Sequence, residues 1–295
     1  MIPEKQNIET NDKKGAFFAL CSSMGYGLNN PLAALGANNG VPSIYSAAFR
    51  AMVMLIVSAV LLKSTNRGFY LAKNVRKSVA TMAITTTIIS LCYVGSINFI
   101  SVSLAAIIFF TFPIQILLYS IIFKKKRIYF IEIFVFIFIF IGLILVIAPN
   151  LSNINLMGVF LAFISSISAT FLYLVGSFAA KNSEPILIGF WIHILAFPII
   201  ALVSYIIYNF IEINTLQMLY PMIIMACCYV MAYYFQILSL KYTSPIISSL
   251  FFNAEPIMTG LAAAIILEEK LMPLQYLGVC FVFSALMLNS MRKNI

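Results

Sequence analysis

From Gly15 almost to the C-terminus the chain is a succession of apolar runs separated by brief polar or basic connectors, preceded by a short tail of mixed charge. Two of these runs decide the architecture. Between Lys77 and Lys124 there is no Asp, Glu, Lys or Arg. As one helix at 1.5 Å per residue that stretch would reach roughly 69 Å, against a bilayer core of about 30 Å. It must fold back once, and Asn98 to Ser103 carry the polar residues for the turn. The uncharged stretch from Glu132 to Lys181 breaks in the same way at Pro149-Asn150-Leu151-Ser152-Asn153, a turn cluster.

The same reasoning along the rest of the chain predicts spans near residues 15–36, 42–63, 77–98, 102–123, 128–148, 155–179, 185–209, 217–240, 244–267 and 272–291. Runs as continuous as Ile131 to Ile147 are unlike the alternating segments of about ten residues that build outer-membrane barrels. The expected fold class is therefore an all-α polytopic membrane protein with ten transmembrane helices.

Composition supports lipid as the main solvent. Of 295 residues 62% are hydrophobic and 9% charged, where a soluble domain carries about 25% charged residues. The net charge of +9 does not read as a nucleic-acid surface, because the bases sit in short loops between apolar runs. Their distribution tests the helix count. With a cytoplasmic N-terminus, sixteen of the eighteen bases fall on the inner side, only Lys270 falls outside, and Arg50 lies within helix 2. Both termini are thus expected in the cytoplasm, in an inner (plasma) membrane. The run from Gly15 is too long for a signal peptide and reads as a retained first helix. Cys21, Cys92, Cys227, Cys228 and Cys280 lie inside apolar runs without CxxC or metal-ligand spacing and read as small packing residues, so no metal or cofactor is expected.

Sliding the chain against itself by 143 residues aligns Gly15 with Gly158, Ser22-Ser23 with Ser165-Ser166, Pro42 with Pro185 and Pro113 with Pro256; Ser96 and Ser101 meet Ser239 and Ser244. Glycine and proline weigh most, since they mark constrained backbone. The expected division is a tail at 1–14, a first five-helix repeat at 15–150, a second at 151–291 and a tail at 292–295. An odd number of helices inverts the second repeat, which allows alternating access to a midplane site between the repeats.

Ala254-Glu255-Pro256 in helix 9, followed by Glu269-Lys270-Leu271 and Gly278, resembles the "EP" motif, helix-end acid and following glycine of the EamA type of the drug/metabolite transporter superfamily. Gly25-Tyr26-Gly27-Leu28-Asn29-Asn30-Pro31 and Arg50 resemble its first-repeat features, and the resemblance covers residues 15 to 291. Lys126 at the position equivalent to Glu269, Phe112 at that of Glu255, and the lack of a tryptophan beside Gly25 depart from the pattern. The resemblance implies a ten-helix basket around a central cavity, moving small metabolites without ATP hydrolysis. Export is the commoner role it implies.

Glu255 lies mid-helix, where an ionisable group calls for a function or a buried partner. It is the candidate proton carrier, or else a carboxyl that fastens helix 9. Arg50 suits a carboxylate or phosphate, and the offset pairs it with His193, a titratable group; snorkelling or a structural hydrogen bond is the alternative for each. Tyr26, Asn29, Asn30, Tyr93, Asn98, Gln115, Tyr233, Gln236 and Asn253 complete the candidate substrate-binding set. Together they suit a mostly apolar pocket with a few polar groups, although each alone could be an interhelical bond. The small faces Ser22-Ser23 and Ser165-Ser166 suit close packing.

No phosphate loop, HExxH, GxSxG or paired carboxylates occur within a span, and no filter repeat, which argues against a pump, an intramembrane enzyme and a channel. The expectation is a secondary transporter of a small organic metabolite or amino-acid-like solute. Uptake or exchange, and a non-transport sensor or structural protein, remain the alternatives. Expected partners are the solute, the bilayer and protons as coupling ion, with the protein a monomer or weak homodimer.

Overall fold

The computed structural model describes residues 11–125, 130–148, 154–268 and 271–291. The turn at Pro149 to Asn153, as well as Lys126, Glu269, Lys270, Arg292 and Lys293, lies outside the described residues. The described residues are helical, in thirteen segments: α1 (Asp12–Gly27), α2 (Asn29–Asn38), α3 (Ser43–Ser64), α4 (Lys73–Ile97), α5 (Val102–Phe109), α6 (Phe112–Ile122), α7 (Phe130–Ile147), α8 (Leu156–Asn182), α9 (Pro185–Tyr208), α10 (Leu216–Tyr242), α11 (Pro245–Phe252), α12 (Glu255–Ile266) and α13 (Pro273–Met291).

These make ten spans, three of which are interrupted. Span 1 is α1 and α2, span 4 is α5 and α6, and span 9 is α11 and α12. Eight spans are long and apolar enough to cross a membrane outright; α13 is a shorter apolar helix and span 1 is divided. The interruptions are a difference from the uninterrupted runs expected, and proline supplies the reason. Pro113 and Pro256 sit in the first turns of α6 and α12, where the missing N–H leaves the carbonyls of Phe109 and Phe252 without their usual helical donor. Span 1 carries Pro31 just beyond its break at Leu28. The equivalents Ser101 and Ser244 both cap the helix that opens a divided span, accepting from the backbone N–H of Leu104 and Ile247.

The two repeats interlock. The most extensive packings are α4 with α8, α1 with α10, α3 with α9 and α7 with α13, and each crosses from one repeat to the other. The pairs α1–α10 and α8–α4 are equivalent under the 143-residue offset, down to individual contacts. A Cβ on Gly15 would run into Thr243, and one on the equivalent Gly158 would lie 2.7 Å from Ile100, itself the equivalent of Thr243. At the edge of the bundle α7 and α13 meet backbone to backbone: a Cβ on Gly278 would lie 2.6 Å from the Gly142 carbonyl oxygen, and one on Gly142 would lie 3.0 Å from that of Gly278. Outward faces are apolar, with Phe130, Ile137 and Phe160 largely exposed, as lipid contact requires.

Candidate functional site

All three helix interruptions open onto one cavity of about 140 Å³ in the middle of the bundle. The break in span 1 brings Tyr26, Asn29 and Asn30 to it, that in span 4 brings Phe109, Phe110 and Phe112, and that in span 9 brings Phe252 and Glu255. Helix α3 adds Arg50; α4 adds Thr86, Ile89, Ser90 and Tyr93; α8 adds Ala169, Leu172 and Tyr173; and α10 adds Tyr229, Tyr233 and Gln236. Thr86, Ser90 and Tyr93 follow the i, i+4, i+7 spacing of one helical face, and so do Tyr229, Tyr233 and Gln236.

The cavity lies on the axis relating the repeats. Sixteen of its nineteen lining residues form eight pairs 143 residues apart. The equivalents are Tyr26 and Ala169, Asn29 and Leu172, Asn30 and Tyr173, Thr86 and Tyr229, Ser90 and Tyr233, Tyr93 and Gln236, Phe109 and Phe252, and Phe112 and Glu255. Only Phe109 and Phe252 are identical.

Aromatic rings make most of the wall. Tyr26 meets Tyr229 and Phe252 edge to face, with centroids 5.7 and 5.5 Å apart, and Phe112 lies against Tyr173 at 5.1 Å. The guanidinium carbon of Arg50 lies 4.9 Å from the centroid of Tyr229, a cation–π contact. Arg50 and Glu255 interact through space but form no ion pair, and both are half-buried. The Tyr26 hydroxyl donates to Gln236 Oε1 at 3.0 Å. Five of the seven buried side-chain polar atoms without a hydrogen-bond partner among the described residues belong to this wall: both amide atoms of Asn29, Thr86 Oγ1 and the hydroxyls of Tyr173 and Tyr233. Buried polar groups are normally paired, so this concentration sets the wall apart from the rest of the described interior.

Of the residues expected from the sequence, Tyr26, Asn29, Asn30, Arg50, Tyr93, Tyr233, Gln236 and Glu255 come together here. Four do not line the cavity. Asn98 is an exposed residue closing α4. The Gln115 amide is spent between helices, its Nε2 donating to Ser166 Oγ at 2.9 Å and its Oε1 accepting from Thr170 at 3.0 Å. The Asn253 amide turns back to the Ser249 and Leu250 carbonyls at the end of α11. His193 is fully buried behind Tyr229, 2.9 Å from its hydroxyl. Thr86, Ser90, Tyr173 and Tyr229, which were not expected, line the wall. Applying the 143-residue offset to polar positions would have found two of them: Tyr233 points to Ser90 and Asn30 to Tyr173. Among the described residues there is no cluster of metal-ligating side chains.

The profile of one protein family matches the chain twice, over residues 13–148 and 156–291. The chain belongs to the EamA-like transporter family. It is thus a multi-pass membrane transporter of small solutes. A solved crystal structure superposes on the transporter with a TM-score of 0.79, covering 94% of this chain and 96% of that chain at 9% sequence identity, a likeness of fold alone. No curated protein matches the sequence significantly.

Proposed function

We propose that the protein is a secondary transporter carrying a small zwitterionic, amino-acid-like solute across the inner membrane by alternating access, with both termini in the cytoplasm. The observation that carries this reading is a separation of charge. The cation, Arg50, comes from the first repeat and the carboxyl, Glu255, from the second; neither forms an ion pair among the described residues, and both face one aromatic cavity on the repeat axis. A solute with a carboxylate and an ammonium group complements that arrangement, its carboxylate toward Arg50 and the Asn29 and Asn30 amides, its ammonium toward Glu255 and the aromatic faces.

Alternating access then means that the equivalent end contacts, Gly15 with Thr243 and Gly158 with Ile100, part in turn. The direction we propose is export, the commoner role in this family. Glu255 is also the proposed coupling group, since a carboxyl that gives its partner to the solute can take a proton instead.

Two measurements test this. In proteoliposomes, an amino acid should be transported while its amide and its decarboxylated amine are not; equal transport of either analogue would remove the zwitterion reading. With an imposed pH gradient, Glu255→Gln should lose gradient-driven flux, while exchange, weakened by loss of the ammonium's partner, remains detectable. Undiminished gradient-driven flux would take the coupling role from Glu255.

A further inference from the structure

His193 is the residue equivalent to Arg50 under the repeat offset, and the two meet the same tyrosine, Arg50 over its ring and His193 at its hydroxyl. Arg50 packs on the ring of Tyr229 from within the cavity, 4.9 Å from guanidinium carbon to centroid. His193, fully buried, reaches the Tyr229 hydroxyl from behind at 2.9 Å through Nε2. Its other nitrogen, Nδ1, lies 2.8 Å from the carbonyl oxygen of Gly189.

The chemistry of these partners assigns the protons. A carbonyl oxygen can only accept, so Nδ1 carries the hydrogen. In the neutral ring Nε2 is then a lone pair, and it accepts the hydroxyl proton of Tyr229. The tyrosine is held at its tip by that bond and at its edge by the imidazole, 5.7 Å between centroids, with Tyr233 edge to face on the same imidazole at 5.1 Å. A tyrosine fixed at its hydroxyl keeps its ring face in place beneath Arg50.

We infer that His193 is a positioning residue for the carboxylate end of the solute: through Tyr229 it holds the guanidinium of Arg50 in its binding orientation without touching the solute itself. This rests on the proposed zwitterionic cargo for its consequence in binding, but the linkage itself can be read without any ligand. It explains why the lone histidine lies outside the cavity wall while its equivalent lies within it.

His193 is the only histidine in the chain, so ¹⁵N-histidine labelling of the full-length protein in nanodiscs reports on it alone. The expected spectrum is a neutral imidazole protonated at Nδ1, whose Nε2 resonance moves in Tyr229→Phe while Nδ1 stays. A ring protonated at Nε2 overturns the assignment. As a second readout, modification of Arg50 by phenylglyoxal, followed by mass spectrometry, should quicken about fivefold in both His193→Ala and Tyr229→Phe, the scale of one lost hydrogen bond. Unchanged reactivity in both variants overturns the linkage.

The binding arm uses L-leucine and L-leucinamide. His193→Ala should weaken L-leucine about fivefold and leave the amide unaffected; an equal loss for both would show a structural role only. Should wild type bind neither compound nor any other amino acid, the zwitterion reading falls, while the spectrum and the Arg50 reactivity still decide the role of His193.

Discussion

Tyr26, Asn29 and Asn30 in span 1 and Ala169, Leu172 and Tyr173 in span 6 occupy equivalent places on the cavity wall, yet the first set offers a hydroxyl and two amides and the second a single hydroxyl. Spans 3 and 8 invert the balance: small hydroxyls at Thr86 and Ser90 face the rings of Tyr229 and Tyr233 across the axis. The backbone frame is shared while the side chains have diverged, so that the first repeat holds the cation and two of the three amides, and the second the carboxyl and the two α10 tyrosines. A symmetric frame provides two equivalent ways of closing; on the proposed reading, the asymmetric lining gives the solute one binding orientation.

The same divergence shapes how the second halves of the divided spans are held. Helix α6 is tied to α8 by hydrogen bonds, Thr111 to Ser166 at 2.8 Å and Gln115 to both Ser166 and Thr170. The equivalent places on α12 and α1 are Ala254, Met258, Ser23 and Gly27, and there Gly27 simply packs against Met258 and the Glu255 carbonyl. One junction is clasped; its counterpart is a bare contact that can slide without breaking a hydrogen bond.

The largest effect is expected at the charged pair of walls. Arg50→Gln should weaken binding of a zwitterionic amino acid about 100-fold, the worth of a charge-assisted contact, while the unliganded Tm holds. Titration calorimetry and thermal unfolding read the two quantities, and a loss of Tm without loss of affinity would make Arg50 a structural residue. Next comes the bare junction. Gly27→Thr, which copies the equivalent Thr170, should drive a side chain into Met258 and lower stability by about 2 kcal/mol.

At the clasped junction, Thr170→Val keeps the shape and loses the bonds to Gln115 and the backbone, costing about 1 kcal/mol in the same unfolding assay. Were the two costs reversed, the contrast between junctions would be wrong. The smallest effect is the most symmetric: Ser101→Ala and Ser244→Ala should each cost roughly 0.5 to 1 kcal/mol and match each other, as equivalent caps. A clear inequality would show that the repeat symmetry does not extend to the energetics of the divided spans.

The ten spans and the 143-residue repeat were legible because both are written in hydropathy and in glycine and proline placement. The helix interruptions were not, because Val102 to Ile122 and Pro245 to Ile266 each read as one apolar run and hydropathy is blind to a released carbonyl; Pro113 and Pro256 were visible but do not by themselves separate a kink from a break. Nor does hydropathy report which way a residue points around its helix. Gln115, His193 and Asn253 are mid-span polar groups like Tyr233 and Gln236, but they turn toward neighbouring helices or their own backbone. Tyr229 escaped notice for the opposite reason, as one tyrosine among fifteen, although its spacing to Tyr233 and Gln236 marks a shared face.

The close backbone meeting of Gly142 and Gly278 also bears on how the chain is assembled during synthesis. Span 5 enters the bilayer long before span 10 has been translated, and the atoms that crowd Gly142 most closely belong to that late span. Lipid must cover the face around Gly142 in the interval, and docking of span 10 displaces it. The edge of the bundle is therefore completed after insertion, by a helix that arrives when most of the interlocked core is already in the membrane. Chains stalled before span 10 would present the span 5 glycine face to the translocon and to quality-control proteases as their mark of incompleteness.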